Sequence, residues 1–287
     1  MYDVVIIGAG PAGISASLYT GRANKKTLVI YSEKSSLEKT EKIENFYGFE
    51  HGIDGKKLYE DGIKQARNIG VEVTSEEVIK IEMLEQKFEI TTTNRKYLAK
   101  SIILATGTKK NIPNIKGIKE YEGRGISYCA ICDGFFYRGK EVAVLGNGNY
   151  AISETNDLIN LAKKVTILTN GKTEPDIRAD NVEIISKEIE EINGKEKVEE
   201  VTFKDKTKIK ADGIFIAEGT AGSSEFAKKL GIITNNNKIV VNEKMETNIK
   251  GIYACGDCTG GLLQISKAVY EGTTAGLQVI EYLKQKI

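Results

Sequence analysis

Two stretches of the chain repeat one pattern, a continuous apolar run followed at once by glycines. Residues 4–7 (VVII) precede a G-x-G-x-x-G turn, and residues 141–145 (EVAVL) precede a G-x-G-x-x-A turn. An apolar run of this length is typical of a strand buried on both faces of a parallel sheet. The repeat predicts an α/β fold with two nucleotide-binding (Rossmann-like) domains, each opening on a strand, a glycine turn and a helix.

Shorter patterns fill the rest of the chain. Residues 56–70 have the polar and apolar spacing of an amphipathic helix, and residues 264–283 again follow a helical pattern. Residues 71–93 alternate in the manner of short strands. Residues 182–216 also predict short strands, with an Asn-Gly pair at 193–194 as a hairpin signal.

The first glycine turn has the features of a dinucleotide site. Gly8 allows the tight turn, Gly10 lets the backbone approach a pyrophosphate, and Gly13 lets helix and strand pack closely. The N-terminus of the following helix attracts the anion. Glu33, twenty residues after Gly13, is placed to bind a ribose hydroxyl.

Composition and charge narrow the class of protein. The 287 residues suggest roughly two domains. With 41 basic and 40 acidic residues the net charge is +1, which argues against nucleic acid as a partner. No apolar run approaches the ~20 residues of a membrane helix, and the chain begins without a basic, cleavable signal. We therefore expect a cytoplasmic protein that neither spans a membrane nor binds nucleic acid.

The four cysteines form two C-x-x-C pairs, Cys129/Cys132 and Cys255/Cys258. In a cytosolic chain such pairs indicate redox chemistry or metal binding rather than structural disulfides. The alternative is a single zinc site with four cysteine ligands. The pairs lie much further apart than the ~15–20 residues of a zinc ribbon, so we predict no metal site.

At this point the sequence resembles a known family. The blocks GAGPAG, ENFYGF, ATGT, GRGISYCAICDGFFYRGKEVAVLG and YACGD occur in the order and spacing of the low-molecular-weight thioredoxin reductases. The resemblance covers nearly the whole chain. It implies an FAD-binding domain from both chain ends, residues 1–112 and 246–287, with an inserted redox domain at 113–245. It also implies a homodimer and thioredoxin as the substrate.

The resemblance also assigns residues to FAD. Those that match the family motifs are Gly8, Gly10, Ala12, Gly13, Asn45, Thr106, Gly107, Gly256, Asp257 and Gln264, with Glu33 at the adenosine position. Two departures affect the flavin surroundings. The Gly-Gly-Gln stretch that usually precedes ENF is absent, and the usual Arg-Gln pair near the C-terminus is Leu263-Gln264 here.

Disulfide exchange needs one thiolate to attack and a second thiol nearby to resolve the mixed disulfide, which Cys129 and Cys132 would supply. By resemblance Asp133 is the general acid/base, whereas by residue type alone it is a helix N-cap. Cys255 and Cys258 are either an auxiliary redox pair or two small buried residues.

The second glycine turn lacks the family's NADPH motif. The strand after its helix ends in Thr169-Asn170-Gly171 rather than in His-Arg-Arg, and the next helix looks shortened or lost. Charge-assisted bonds from arginines are the usual means of binding a 2′-phosphate. Lys172 and Arg178 are the only nearby substitutes that we identify.

These departures resemble the ferredoxin-dependent flavin thioredoxin reductases. The expected function is reduction of thioredoxin through FAD and the Cys129/Cys132 disulfide, with ferredoxin as electron donor. The alternatives are NADPH or NADH as donor, a different thioredoxin-like substrate, and a non-catalytic FAD-binding redox sensor.

Overall fold

The computed structural model describes residues 1–32, 35–107, 113–219 and 222–285, and at positions 36, 39, 132 and 224 it describes the backbone alone. The chain divides into two compact units. One lies within residues 1–109 and 222–287, and the other within residues 110–221. Within the described ranges, no helix is long and apolar enough to cross a membrane.

The elements follow the chain in a regular order. The strands are β1 (Tyr2–Ile7), β2 (Thr27–Tyr31), β3 (Glu72–Ser75), β4 (Val78–Met83), β5 (Phe88–Thr92), β6 (Lys96–Leu104), β7 (Ile126–Ser127), β8 (Glu141–Leu145), β9 (Lys164–Leu168), β10 (Val182–Ile185), β11 (Ile189–Asn193), β12 (Glu200–Phe203), β13 (Lys208–Lys210), β14 (Gly213–Ile216), β15 (Thr234–Asn235), β16 (Lys238–Ile239) and β17 (Ile252–Ala254). The α-helices are α1 (Pro11–Arg22), α2 (Gly55–Asn68), α3 (Ala130–Asp133), α4 (Asn149–Leu158), α5 (Ser223–Lys229) and α6 (Ile265–Lys284).

The first unit is built on a seven-stranded sheet in the order β3-β2-β1-β6-β5-β4, with β17 beside β6. Strand β1 runs parallel to β2 and β6 on either side, with Val5 opposite Leu28 and Ile102. The apolar side chains of β1 are buried because helices and neighbouring strands cover both faces, as the uninterrupted run predicted. The predicted α/β fold with two Rossmann-like units is confirmed.

Helix α1 packs backbone to backbone against its neighbours. A Cβ atom at Gly13 would lie 1.9 Å from Gly8 O, and one at Gly272 of α6 would lie 2.0 Å from Ala12 O. Such distances leave no room for a side chain, so only glycine permits this approach. The packing brings the start of α1 close to the loop that follows β17. A Cβ atom at Gly256 in that loop would lie 2.8 Å from Ala12 Cβ.

The second unit has a five-stranded parallel sheet, β10-β9-β8-β14-β7, and a separate antiparallel sheet of β11, β12 and β13. Helix α4 follows β8 directly, as predicted from the second glycine turn. Strands β9 and β10 pair in parallel, yet no helix lies in the described connection 169–181 between them. The predicted loss of that helix is confirmed.

The predicted hairpin at the Asn-Gly pair is confirmed, since β11 and β12 form an antiparallel pair that residues 194–199 connect. One finer prediction differs from the structure. The predicted domain boundary lies after residue 245, but residues 222–245 belong to the first unit. Met245 lies in the core of that unit and its carbonyl accepts a hydrogen bond from Ala254 N (3.1 Å), which ties the segment to β17.

We predict that Gly13→Ala destabilises the protein by about 2 kcal/mol, because the added methyl group must displace the Gly8 carbonyl. Gly62→Ala is the matched control, since its Cβ would meet only Ile14 Cγ2 at 3.5 Å in the interior of α2. There alanine should stabilise by about 0.5–1 kcal/mol. Urea unfolding of the cofactor-free protein measures both. Equal stability of the two variants would contradict the packing argument.

Candidate active site

The first glycine turn forms an open cradle at the start of α1. Gly8 has φ +114°, a backbone conformation that glycine adopts readily. Gly10 is the N-cap of α1 without a side-chain cap, and a Cβ there would meet nothing nearer than Ser35 Oγ at 4.0 Å. The helix N-terminus therefore faces free space bounded by glycine, which is the arrangement that binds a pyrophosphate.

Asp257 lies in a 3-10 turn, Gly256–Thr259, that a charged pair holds in place. Glu271 Oε2 accepts hydrogen bonds from Gly256 N (2.8 Å) and Thr259 Oγ1 (2.9 Å). Lys267 Nζ donates to Gly256 O (2.9 Å) and pairs with Glu271 at 2.9 Å. Both side chains are largely buried, so the turn depends on a paired and hydrogen-bonded ion pair.

The carboxylate of Asp257 is left available by this arrangement. Its backbone carbonyl accepts a hydrogen bond from Lys238 Nζ at 2.9 Å. Within the described ranges, no group pairs with the carboxylate oxygens themselves. The acid is thus held at a defined place with its acceptor atoms free for a ligand hydroxyl.

Two predicted cofactor residues that lie far apart in the sequence meet in the structure. Asn45 Nδ2 donates to Gln264 Oε1 at 3.1 Å. Thr106, by contrast, uses its side chain within the protein, because its hydroxyl lies 2.7 Å from Ser223 Oγ and accepts from Ser223 N at 2.8 Å. Gly107 follows with φ +76°. Glu33 lies outside the described residues.

Cys255 and Cys258 are free thiols buried in the first unit. Cys258 Sγ donates to the carbonyls of Cys255 (3.2 Å) and Leu104 (3.4 Å). Burial raises the pKa of Cys258 to about 11 and raises that of Cys255 well above its usual range. Both thiols therefore keep their protons near neutral pH, and the Cys258 thiol is hydrogen-bonded to backbone carbonyls. These features favour two small buried residues over an auxiliary redox pair.

The second unit carries the C-x-x-C turn. Cys129 is buried and disulfide-bonded, and helix α3 begins at the next residue. The side chain of Cys132 lies outside the described residues. Ser127 Oγ accepts from Cys129 N (3.1 Å) and donates to Asp133 Oδ2 (2.7 Å), so a single hydroxyl connects the cysteine backbone to the acid.

Asp133 does not act as a side-chain cap. It occupies the N-cap position of the following 3-10 turn, Gly134–Tyr137, but makes no capping hydrogen bond. Its carboxylate is directed to Ser127 instead. This geometry favours the acid/base reading over the capping reading, because the acid is held beside the redox turn by a hydroxyl that can share a proton with it.

The loop that replaces the missing helix is hydrogen-bonded to the second glycine turn. Asn147 Nδ2 donates to Thr173 O at 3.2 Å, and Lys172 forms an ion pair with Glu218. Asn170 has φ +52° and accepts from Ile189 N at 2.8 Å. The loop is therefore fixed both to the glycine turn and to the segment after β10. Arg178 is exposed.

Sequence reasoning did not single out four side chains that support these sites, namely Ser127, Glu154, Lys267 and Glu271. The signal for Glu271 was present, since it interrupts the apolar stripe of a predicted helix, where a buried charge requires a partner. Lys267 stands one turn earlier. His51 is exposed.

Comparison with known proteins identifies the class. A parallel-sheet fold with a glycine cradle and a separate C-x-x-C turn defines a disulfide oxidoreductase of the dinucleotide-binding type. The family model described as pyridine nucleotide-disulphide oxidoreductase matches residues 2–272, and the chain belongs to that family. It takes FAD as its cofactor. The open cradle at Gly10 fits the FAD pyrophosphate, and the free acid at Asp257 fits a ribityl hydroxyl.

Individual relatives are more specific. Thioredoxin reductase of Bacillus subtilis is 35% identical over 99% of this chain and 96% of its own length. The atypical thioredoxin reductase TRi of Desulfovibrio vulgaris Hildenborough is 37% identical, with a TM-score of 0.91 over 100% of this chain and 99% of that one. A ferredoxin-flavin thioredoxin reductase of Clostridium acetobutylicum is also 37% identical, with a TM-score of 0.71 over 99% and 98%.

We predict that iodoacetamide at about pH 8 modifies Cys255 and Cys258 extremely slowly in the reduced, folded protein. A thiol with a pKa near 11 has roughly one thousandth of its population as thiolate at that pH. Peptide mass spectrometry should show label at the Cys129/Cys132 turn alone, and at all cysteines in denaturant. Labelling of Cys255 as fast as Cys129 would contradict the structural reading and revive an auxiliary redox pair.

Proposed function

We propose that reduced ferredoxin, rather than NADPH, supplies the electrons with which this thioredoxin-disulfide reductase opens its Cys129/Cys132 disulfide. The dithiol then reduces thioredoxin. The proposal rests mainly on one observation, the loop 169–174 that replaces the usual helix and is hydrogen-bonded to the second glycine turn. In a nucleotide-binding domain of this kind, that turn and the end of the following strand are where NADPH would bind.

The charges around the turn oppose a dinucleotide. Lys172 is the nearest cation, but it is paired with Glu218, whose side chain is only 12% exposed. Glu218 directly precedes Gly219, and a Cβ on Gly148 would lie 3.6 Å from Gly219 O. The nearest cation is therefore already paired with a residue of the segment beside the second glycine, and a pyrophosphate there would add two negative charges.

The 2′-phosphate position lacks its usual partners as well. Thr169 uses its hydroxyl to bind Lys172 O at 2.8 Å, and Asn170 uses its side-chain oxygen to bind Ile189 N. Neither residue can replace the bidentate, charged contacts of arginine. Arg178 is the remaining nearby cation, and a single charge-assisted hydrogen bond contributes about 1.5–3 kcal/mol.

The relatives support both halves of the proposal to different degrees. Thioredoxin reductases are frequent among them, which supports the substrate. A protein named as a ferredoxin-flavin thioredoxin reductase is among the structural neighbours, and it supports ferredoxin as donor. The alternative donor is NADPH or NADH, and the experiment below distinguishes it from ferredoxin.

For FAD we propose the contacts carried by the first unit. Gly8, Gly10, Ala12 and Gly13 would surround the pyrophosphate at the N-terminus of α1. Asp257 would accept a hydrogen bond from the ribityl chain, because its carboxylate is held by the turn but unpaired. Asn45, Gly107, Gly256 and Gln264 complete the set, whereas Thr106 would contribute through its backbone carbonyl, since both its hydroxyl and its backbone N–H bind Ser223. Bound FAD supplies the two electrons for the disulfide.

The residues of the redox turn then perform the exchange. Two electrons and two protons convert the Cys129/Cys132 disulfide into a dithiol. One thiolate attacks the thioredoxin disulfide and forms a mixed disulfide. The other thiol then attacks the enzyme cysteine in that mixed disulfide, which re-forms the Cys129/Cys132 disulfide and releases reduced thioredoxin. Asp133 would transfer the proton, oriented by its 2.7 Å bond with Ser127. Phe135 and Phe136, which follow the turn and are 68% and 70% exposed, offer an apolar surface for the partner.

An anaerobic absorbance experiment tests the donor. We expect reduced ferredoxin to bleach the flavin band within the dead time of mixing, and thioredoxin disulfide to restore it. NADPH and NADH should leave the band unchanged over minutes, because under this proposal the second glycine turn does not bind them. Fast bleaching by NADPH would overturn the ferredoxin proposal while leaving the reductase activity intact.

The control is the Cys129→Ser variant. It should keep its flavin and accept electrons from ferredoxin, yet transfer none to thioredoxin. If the wild-type enzyme takes electrons from ferredoxin but never reduces a thioredoxin, the substrate is another thioredoxin-like protein or the chain is a redox sensor. Thus the donor and the substrate are tested separately.

We also propose that the protein is a homodimer, as the family resemblance implies. Tyr270 and Leu277 lie seven residues apart on α6 and are 65% and 45% exposed, and Tyr19 of the adjacent α1 is 39% exposed. Such a stripe on one unit is typical of an oligomer interface.

Light scattering after gel filtration should give twice the 31.5 kDa chain mass for the wild type. Tyr270→Arg should lower the mass toward that of a single chain, because it places a charge within the stripe. Leu84→Arg, at an exposed apolar residue outside it, is the control. A wild-type protein that stays monomeric at micromolar concentration would contradict the dimer.

A further inference from the structure

Helix α4 supports the redox turn. It begins at the second glycine turn. Glu154, in the middle of α4, is completely buried, and its Oε2 accepts a hydrogen bond of 2.6 Å from Ala130 N. One turn earlier, Tyr150 donates from its hydroxyl to Tyr128 O at 3.1 Å. One turn later, Leu158 lies 3.2 Å from the Cβ position of Gly134. The backbone on both sides of the cysteine turn therefore rests on α4.

The hydrogen bond places a carboxylate close to the cysteine. Ala130 N belongs to the peptide that joins Ala130 to Cys129. Standard bond lengths then put Glu154 Oε2 within about 8 Å of Cys129 Sγ at most. Both residues are buried, and charges in a buried environment are screened much less than at the surface. The carboxylate is therefore near enough to influence the charge on the sulfur.

We propose that Glu154 is a positioning residue that also sets the ionisation of the Cys129 thiol and the reduction potential of its disulfide. The inference rests on the proposed role of Cys129 in disulfide exchange. Through its hydrogen bond Glu154 fixes the peptide after Cys129. In its ionised form Glu154 disfavours the neighbouring thiolate, so that the thiol of the reduced form keeps its proton.

The direction of the effect on the disulfide follows from the balance of the reaction. Reduction adds two electrons and two protons to the disulfide, and loss of a proton from the dithiol stabilises the reduced form further. A nearby anion opposes that loss and so keeps the potential more negative. Removing the charge should make the thiol more acidic and the disulfide easier to reduce.

Other titratable groups lie near the same turn and are unchanged by the test. They are Asp133, Tyr137, Lys140, Tyr150 and Asp212. Asp133 contributes a second negative charge, and Lys140, whose ammonium lies 5.5 Å from the centre of the Tyr137 ring, contributes a positive one. Substitution at Glu154 alone thus isolates one charge among several.

Glu154→Gln is the decisive variant, because glutamine retains an oxygen that can accept from Ala130 N but carries no charge. We expect iodoacetamide to alkylate the reduced variant about three- to tenfold faster than the wild type at pH values below the thiol pKa. In glutathione buffers at a pH above that pKa, a tenfold change in the equilibrium constant corresponds to a potential about 30 mV less negative.

Glu183→Gln is the matched control. It removes the same charge from the same unit, at a half-exposed residue paired with Lys164 at 2.6 Å, and should leave both quantities unchanged. A folded Glu154→Gln variant with the wild-type alkylation profile from about pH 6 to pH 9 would overturn the proposal, since the hydrogen bond alone would then explain the residue.

If Glu154→Gln does not fold, the wild-type protein still decides. Thiolate absorbance during a pH titration should give a Cys129 pKa at or above the ordinary value of about 8.5. A pKa well below 7 would overturn the proposal. Neither measurement uses ferredoxin or thioredoxin, so this inference and the proposed donor can fail independently.

Discussion

Close backbone packing around helix α1 is the constraint on which the flavin unit depends. Gly13 admits the Gly8 carbonyl, and Gly272 of α6 admits the Ala12 carbonyl, at distances that exclude any side chain. These contacts bring the C-terminal helix, and with it the Gly256–Thr259 turn, to the cradle formed by the N-terminal glycines. The cofactor site therefore joins the two ends of the chain, and the ion pair of Lys267 with Glu271 keeps the second end in place.

The second unit shows the same strand–turn–helix arrangement. Its glycine turn is hydrogen-bonded to the loop after β9, and Lys172 in that loop is paired with Glu218. The helix that follows supports the cysteine turn, because Tyr150 and Glu154 bind its backbone. Under the proposed function this glycine turn binds no nucleotide, and it is kept because the helix that it starts holds the redox turn.

Much of this architecture could be predicted from the sequence. The apolar runs and glycine spacings identified β1, β8 and the helices after them, and the short interval after β9 correctly indicated a missing helix. Hydrophobic periodicity and turn residues report local structure, which explains these successes. The C-x-x-C spacing indicated redox chemistry or metal binding, whereas the choice of Cys129/Cys132 as the catalytic pair and the role of Asp133 depended on family resemblance.

The rest could not be predicted, because it depends on contacts between distant residues. The segment 222–245 carries no composition shift, and only its packing with β17 assigns it to the first unit. Thr106 has the residue type of a cofactor contact, yet Ser223, 117 residues away, occupies its hydroxyl. The attachment of the loop after β9 to the second glycine turn likewise depends on a hydrogen bond between residues distant in sequence, Asn147 and Thr173.

Calorimetric titration of the oxidised flavoprotein with NADPH shows whether the second glycine turn binds a nicotinamide nucleotide. We expect no saturable heat up to about 1 mM NADPH, a concentration that would reveal any binding free energy more favourable than about −4 kcal/mol. Saturable binding with a Kd in the micromolar range would contradict that expectation.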